Sequence, residues 1–185
     1  MTSTLRSIAA AAASAVLLLS LAACATGAPE SSATPTASDA ASATITTDAA
    51  CAGDEGVTLV VDATALEGGD AQEWCLLTEE PVIAGDAFTV AGIETEGTEE
   101  YGDQVVCRVN GVPSEDTPIP AEDGSEYFET CAAMPAAFAY WSLWEKPADG
   151  EWGYAQEGAS TLELEPGDAV ELLFTLNGEP ATPTP

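Results

Sequence analysis

The side chains best equipped for chemistry in this chain are its cysteines and a run of aromatics. Cysteine occurs at positions 24, 51, 75, 107 and 131, and Tyr140, Trp141, Trp144, Trp152 and Tyr154 crowd into one short stretch. Catalysis has little to work with. The chain has no histidine, so the usual general base near neutral pH is missing. Carboxylate pairs can cleave glycosides, but 32 Asp and Glu single out no pair. The acid-rich stretches Glu94–Glu100 and Glu115–Glu129 lack the regular ligand spacing of a calcium hand. With no Cys-x-x-Cys and no histidine, zinc is equally unsupported. The expectation is a protein that is not an enzyme, with no metal site and no cofactor.

Each cysteine then needs a different use, and Cys24 stands apart. Before it come Arg6, an apolar run Ile8–Leu19 broken only by Ser14, and small residues. That run falls short of the ~20 apolar residues that span a bilayer. It has the order of a secretory signal instead. Leu21-Ala22-Ala23-Cys24 resembles the bacterial lipobox. The resemblance implies cleavage after residue 23 and a diacylglycerol group on the Cys24 sulfur. The protein is then expected on the extracellular face of the cell membrane, lipid-anchored with palmitate-type acyl chains, because two acyl chains hold where one binds only marginally. The alternative is an ordinary cleavable signal with an incidental cysteine.

Export makes the remaining four cysteines candidates for disulfides. Three connectivities are possible. Joining each cysteine to its sequence neighbour gives Cys51–Cys75 and Cys107–Cys131, two loops of equal length. Each would contribute roughly 3 kcal/mol through loss of unfolded-chain entropy. Past residue 23 the chain carries only Arg108 and Lys146 against all 32 acids. Such a surface repels phosphate backbones and anionic head groups, which argues against a nucleic-acid partner. Its plain reading is a well-solvated exterior. The high hydrophobic fraction, 46 %, leaves enough apolar surface for a core.

These residues must be positioned by something foldable. Residues 24–50 are nearly all Ala, Ser, Thr, Pro and Gly, without apolar periodicity, and read as a disordered tether. A flexible segment of ~26 residues has a typical end-to-end span of roughly 25–30 Å. Its composition also suits O-glycosylation. The folded region is expected over 51–178, with a disordered tail at 179–185. Within it, Val57–Asp62, Trp74–Leu77, Gln104–Val109, Tyr140–Glu145, Trp152–Gln156, Ser160–Leu164 and Ala169–Leu176 read as strands. Pro81–Ile93 reads as a helix, with Ile83, Ala87, Phe88 and Ala91 on one face and Gly92 ending it. Asn110-Gly111 is a hairpin signal. The fold class is α+β: a small, disulfide-braced, antiparallel sheet with one short helix.

The order Ala91-Gly92-Ile93, Val106-Cys107-Arg108-Val109-Asn110-Gly111-Val112, Tyr140-Trp141-Ser142-Leu143-Trp144, then Pro166-Gly167-Asp168 before a last strand, is similar to the transcobalamin C-terminal domain. It most resembles the bacterial transcobalamin-like domains of surface-anchored proteins. The resemblance spans roughly 57–176 and implies a β-rich domain that, in vitamin carriers, covers one face of a corrinoid. The helical barrel that covers the other face has no counterpart in this chain.

The aromatics also have a reading of their own. In a strand, Tyr140, Ser142 and Trp144 share one face, and Trp141 and Leu143 the other. Large aromatics commonly anchor cores, and Trp141 and Leu143 are expected there. Tyr140, Trp144, Trp152 and Tyr154 are the candidate ligand-binding platform, with Lys146 at its rim. Arg108 is expected to pair with a neighbouring acid. The expected function is a non-catalytic binding module for a small hydrophobic or corrinoid-like ligand, serving uptake together with a transporter component. The alternatives are a protein-protein or wall-polymer interaction domain and a purely structural one.

Overall fold

The computed structural model describes residues 44–184. The signal segment, Cys24 and the tether up to residue 43 lie outside the described residues. In chain order the elements are β1 (Thr44–Thr47), β2 (Gly56–Asp62), β3 (Ala71–Leu77), β4 (Val82–Ile83), α1 (Ala84–Ala91), β5 (Thr95–Thr98) and β6 (Gly102–Val109). Then follow β7 (Ile119–Pro120), β8 (Glu126–Tyr127), β9 (Ala139–Lys146), β10 (Gly153–Tyr154), β11 (Glu163–Leu164) and β12 (Ala169–Leu176). The strand-rich expectation holds.

Six strands form one sheet in the order β1-β3-β2-β12-β9-β10. The sheet is mixed, which corrects the expectation of an antiparallel one. Strand β12 runs parallel to β2, with Val170 opposite Leu59 and Glu171 opposite Val60, while its other neighbour β9 is antiparallel. The cause is topological. The final strand returns from across the domain and inserts between β2 and β9, and a long connection permits a parallel neighbour where a tight hairpin does not.

Strand periodicity decides which face is dry. Val57, Leu59 and Val61 of β2, Trp74 and Leu76 of β3, Trp141 of β9, and Val170, Leu172 and Phe174 of β12 all belong to one buried cluster. Ala84, Ala87 and Phe88 of α1 join it, as do Ile93, Leu162 and Leu164. The helix is shorter than Pro81–Ile93, because Val82–Ile83 pair with β11 instead. Gly92 does end it, in left-handed geometry (φ 74°), with its own N–H on the Thr89 carbonyl and the Ile93 N–H on Phe88. This is a Schellman closure, and the buried Ile93 supplies its apolar contact.

Both disulfides form as paired above: Cys51–Cys75, with Cα atoms 4.7 Å apart, and Cys107–Cys131, at 5.6 Å. The first ties the segment before β2 to β3 in the large sheet. The second ties β6 to the loop after β8. At Asn110-Gly111 both residues take positive φ (50° and 75°) and Val109 bridges Val112 through two backbone bonds. The turn forms, but no second strand extends it, since Pro113 has no N–H to donate to a ladder.

Other boundaries move. Thr44–Thr47, inside the expected tether, pair along the outer edge of β3. Ile45 is the one apolar residue there and is half-buried against the core. One apolar side chain in four gives no period to read, yet its β-branched neighbours favour the pairing. The expected tail is also held in part: Thr175 donates its hydroxyl to the Pro180 carbonyl at 3.2 Å, and Pro183 is buried. Trp152–Gln156 and Ser160–Leu164 contract to Gly153–Tyr154 and Glu163–Leu164. Unforeseen were β5, and the small hairpin of β7 and β8.

Candidate functional site

The second face of the large sheet carries the site. Alternation along β2 and β12 turns Thr58, Val60, Asp62, Ala169, Glu171 and Leu173 away from the dry core. One row across this face runs Glu73, Val60, Glu171, Trp144, through β3, β2, β12 and β9. The next rows place Asp62 beside Leu173, and Thr58 beside Ala169 and Lys146.

Along this face lies a cavity of about 610 Å³. Thr58, Val60, Asp62 and Glu171 contribute to its lining from the sheet, and Lys146 and Trp152 from the β9–β10 side. Cys51 borders it too, so the first disulfide helps shape the wall. The Thr58 hydroxyl accepts the Cys51 N–H at 2.9 Å and pins that segment down.

The four aromatic positions proposed from sequence do not make one platform. Trp141 is core, as expected: its ring meets Phe174 edge-on at 5.3 Å and its indole N–H donates to the Val112 carbonyl at 3.0 Å. Leu143 packs against the same core. Trp144 is on the opposite face but only 5 % exposed, which corrects its place on an open surface. Tyr154 lies over it, with ring centroids 3.9 Å apart, and Trp144 donates its indole N–H to the Ser142 hydroxyl at 2.9 Å. The exposed aromatic of this pair is Tyr154, at 51 %. The short β10 rung sets Tyr154 opposite Trp144, so hairpin register buries one ring under the other. Half-buried Tyr140 lies four residues before Trp144, on the same face of β9. Trp152 goes elsewhere: it lines the cavity, with the Lys146 ammonium 5.9 Å above its ring, within cation–π range.

The carboxylates were the residues that sequence reading missed. Glu171 is only 3 % exposed, and no hydrogen bond to a described residue compensates it. Burial, and then the charges of Asp62 and Glu73, push its carboxyl up to about 7. Asp62 is satisfied differently, accepting the Thr64 N–H and hydroxyl on one oxygen at 2.8 and 2.6 Å. A signal existed: Glu171 is the single charge in the otherwise apolar or β-branched run Ala169–Leu176. A polar residue inside such a run is costly unless something meets it.

Arg108 pairs as expected with an acid, Glu96, at 2.9 Å. It lies in the β5–β6 region and does not line the cavity described above. Among the described residues, the donor atoms of Glu96, Cys107 and Cys131 lie within 4.8 Å of one another. The two sulfurs are spent in a disulfide, so this is not a thiolate metal site. No helix among the described residues is long and apolar enough to cross a membrane. No protein-family model, curated protein or solved structure matches the chain.

Proposed function

We propose that this protein is an exported lipoprotein, anchored through Cys24, whose folded domain is a non-catalytic binding module for a small, partly apolar molecule. The observation that carries the reading is the cavity of about 610 Å³ on the second sheet face, walled by Trp152 and a disulfide. Its size lies within the range of small-molecule sites, roughly 300–1,000 Å³. Rigid strands and a cystine border preorganise it, which lowers the ordering cost of binding. A flat corrinoid-like ligand is the candidate favoured by the transcobalamin-like order of motifs, and it would extend from Trp152 toward Tyr154. Delivery to a transporter component fits a surface-tethered carrier.

A wall polymer or protein partner is the second reading. Half-exposed Tyr154, backed by Trp144, favours it, because stacked aromatics at a surface suit sugar rings and protein anchors alike.

Two measurements test these proposals. Native mass spectrometry of the full chain against cyanocobalamin and a small-molecule panel is expected to find one retained ligand. Trp152→Ala should weaken that ligand at least tenfold, with the melting temperature shifted by only a few degrees. An empty panel removes the small-molecule reading. For the anchor, Cys24→Ala is expected to move the protein from the membrane fraction to the soluble one. Retention in the membrane counts against lipidation.

A further inference from the structure

The cavity contains a feature that an apolar ligand does not explain. Glu171 is 97 % shielded from solvent, faces the cavity and has no hydrogen-bond donor among the described residues. Its oxygens are not sealed off completely, but a largely shielded carboxylate with no donor beside it is costly to ionise. The same strand offers apolar and β-branched residues on both sides of it, so the position is not polar by default. Asp62 on the adjacent strand β2 and Glu73 on β3, one strand further, add to its negative field. Val60, the register partner of Glu171 on β2, and Trp152 also line the cavity and offer it apolar and aromatic surface.

Resting on the binding-module reading above, we propose that the ligand is an amphipathic organic cation: its ammonium group meets Glu171, and its apolar body lies between Val60 and Trp152. The ammonium supplies the missing donors, and a charge-assisted N–H···O bond in a shielded site is about twice as strong as a neutral one. A largely shielded carboxylate that opens on the cavity without a donor favours a cation over an isosteric neutral molecule, which would leave that charge unmet. Lys146 and Asp48 also border the cavity. Lys146 lies two residues along from the Glu171 row, over Trp152, so it bounds the cationic subsite at one end.

The probes are 2-phenylethylamine and its neutral isostere 2-phenylethanol, titrated calorimetrically into the full chain at pH 8 and 150 mM salt. Salt at this level screens the diffuse attraction of any amine to an acidic surface. The amine is expected to bind saturably, one per chain, at least tenfold more tightly than the alcohol. Glu171→Gln should remove that preference by weakening the amine tenfold or more, with the alcohol unchanged and the fold intact by melting temperature. Between pH 6 and pH 8 the amine's affinity should rise as Glu171 ionises. The groups facing Glu171 are Asp62 on β2, Glu73 on β3 and Lys146 on β9; replacing Glu171 alone separates its titration from theirs.

Equal affinity for amine and alcohol, or an amine affinity indifferent to Glu171→Gln, overturns the inference. In that case a neutral panel molecule weakened by Trp152→Ala still leaves the binding-module reading standing. Binding of neither probe overturns the inference too, and together with an empty panel it removes both.

Discussion

Arg108→Lys is expected to destabilise the domain by on the order of 2–4 kcal/mol, read as a lower urea midpoint at unchanged slope. The guanidinium is the junction of three segments. Its Nε–H donates to the Pro113 carbonyl at 2.8 Å, one Nη to Glu96 at 2.9 Å and the other to the Glu129 carbonyl at 2.6 Å. Arg108 and Glu129 are both buried. Glu129 in turn accepts the Tyr127 hydroxyl and the Cys131 N–H, both at 2.7 Å, which holds the loop in which Cys131 bonds to Cys107. Burial, and then the bond to Glu129, push the Tyr127 phenol up to about 12.

Lysine keeps the charge but has a single nitrogen on a flexible stem, and cannot span donors fixed in a planar fork. One or two buried carbonyls are then left without a partner, and each such group costs about 1–3 kcal/mol. Glu96→Gln is the control. The Glu96 side chain is 55 % exposed, so its loss should cost under about 1 kcal/mol. If the two variants lose equal stability, the ion pair and not the carbonyl network is what Arg108 contributes.

That network also shows where sequence reading stops. Pairing of Arg108 with some acid follows from an excess of carboxylates, but two of its three partners are backbone carbonyls, and their positions depend on the Val112–Pro113 turn and the loop after β8. No residue type announces them. By contrast, β2, β9 and β12 were legible almost to the residue, because alternation of Val, Leu, Trp and Phe specifies a half-buried strand. The disulfide pairing was legible as well, since two equal loops suit adjacent elements. The fate of Trp144 was not. Period two correctly assigned its face, yet whether that face is open depended on a two-residue strand, β10, too short to give a pattern. The parallel β2–β12 contact was hidden for a related reason: strand order is a long-range property that local patterns do not contain. Glu171 was readable as an anomaly in an apolar run, and 31 other acids drowned it out.

Glu171→Gln is expected to stabilise the protein at pH 8 by on the order of 1–3 kcal/mol and to flatten its stability between about pH 4.5 and pH 7. The direction follows from proton counts. The carboxyl is pushed from 4.5 up to about 7 in the folded chain, by burial first and by Asp62 and Glu73 next. Between those values the native state still holds a proton that the unfolded state has released. Stability therefore falls as pH rises through this window; the penalty is absent below about pH 4.5 and complete above about pH 7. Glutamine keeps the shape and carries no charge, so it lacks this penalty at every pH. Glu73→Gln should recover a smaller part, since Glu73 is exposed and is the third of the three causes.

Many acids titrate in the same range, so the diagnostic quantity is the difference between wild type and variant, measured by urea denaturation at several pH values. Identical slopes for the two would mean that Glu171 ionises as freely in the fold as outside it. A divergence that opens above pH 5 would mean that the domain retains, at a cost to its own stability, one shielded negative charge facing a cavity. A cation that binds only the ionised native state would offset that cost by RT ln(1 + L/Kd), where L is its free concentration, an amount that grows as L rises. Adding 2-phenylethylamine at pH 8 should thus raise the urea midpoint of the wild type more than that of Glu171→Gln, which would link the titration of one shielded carboxylate to the proposed cationic ligand.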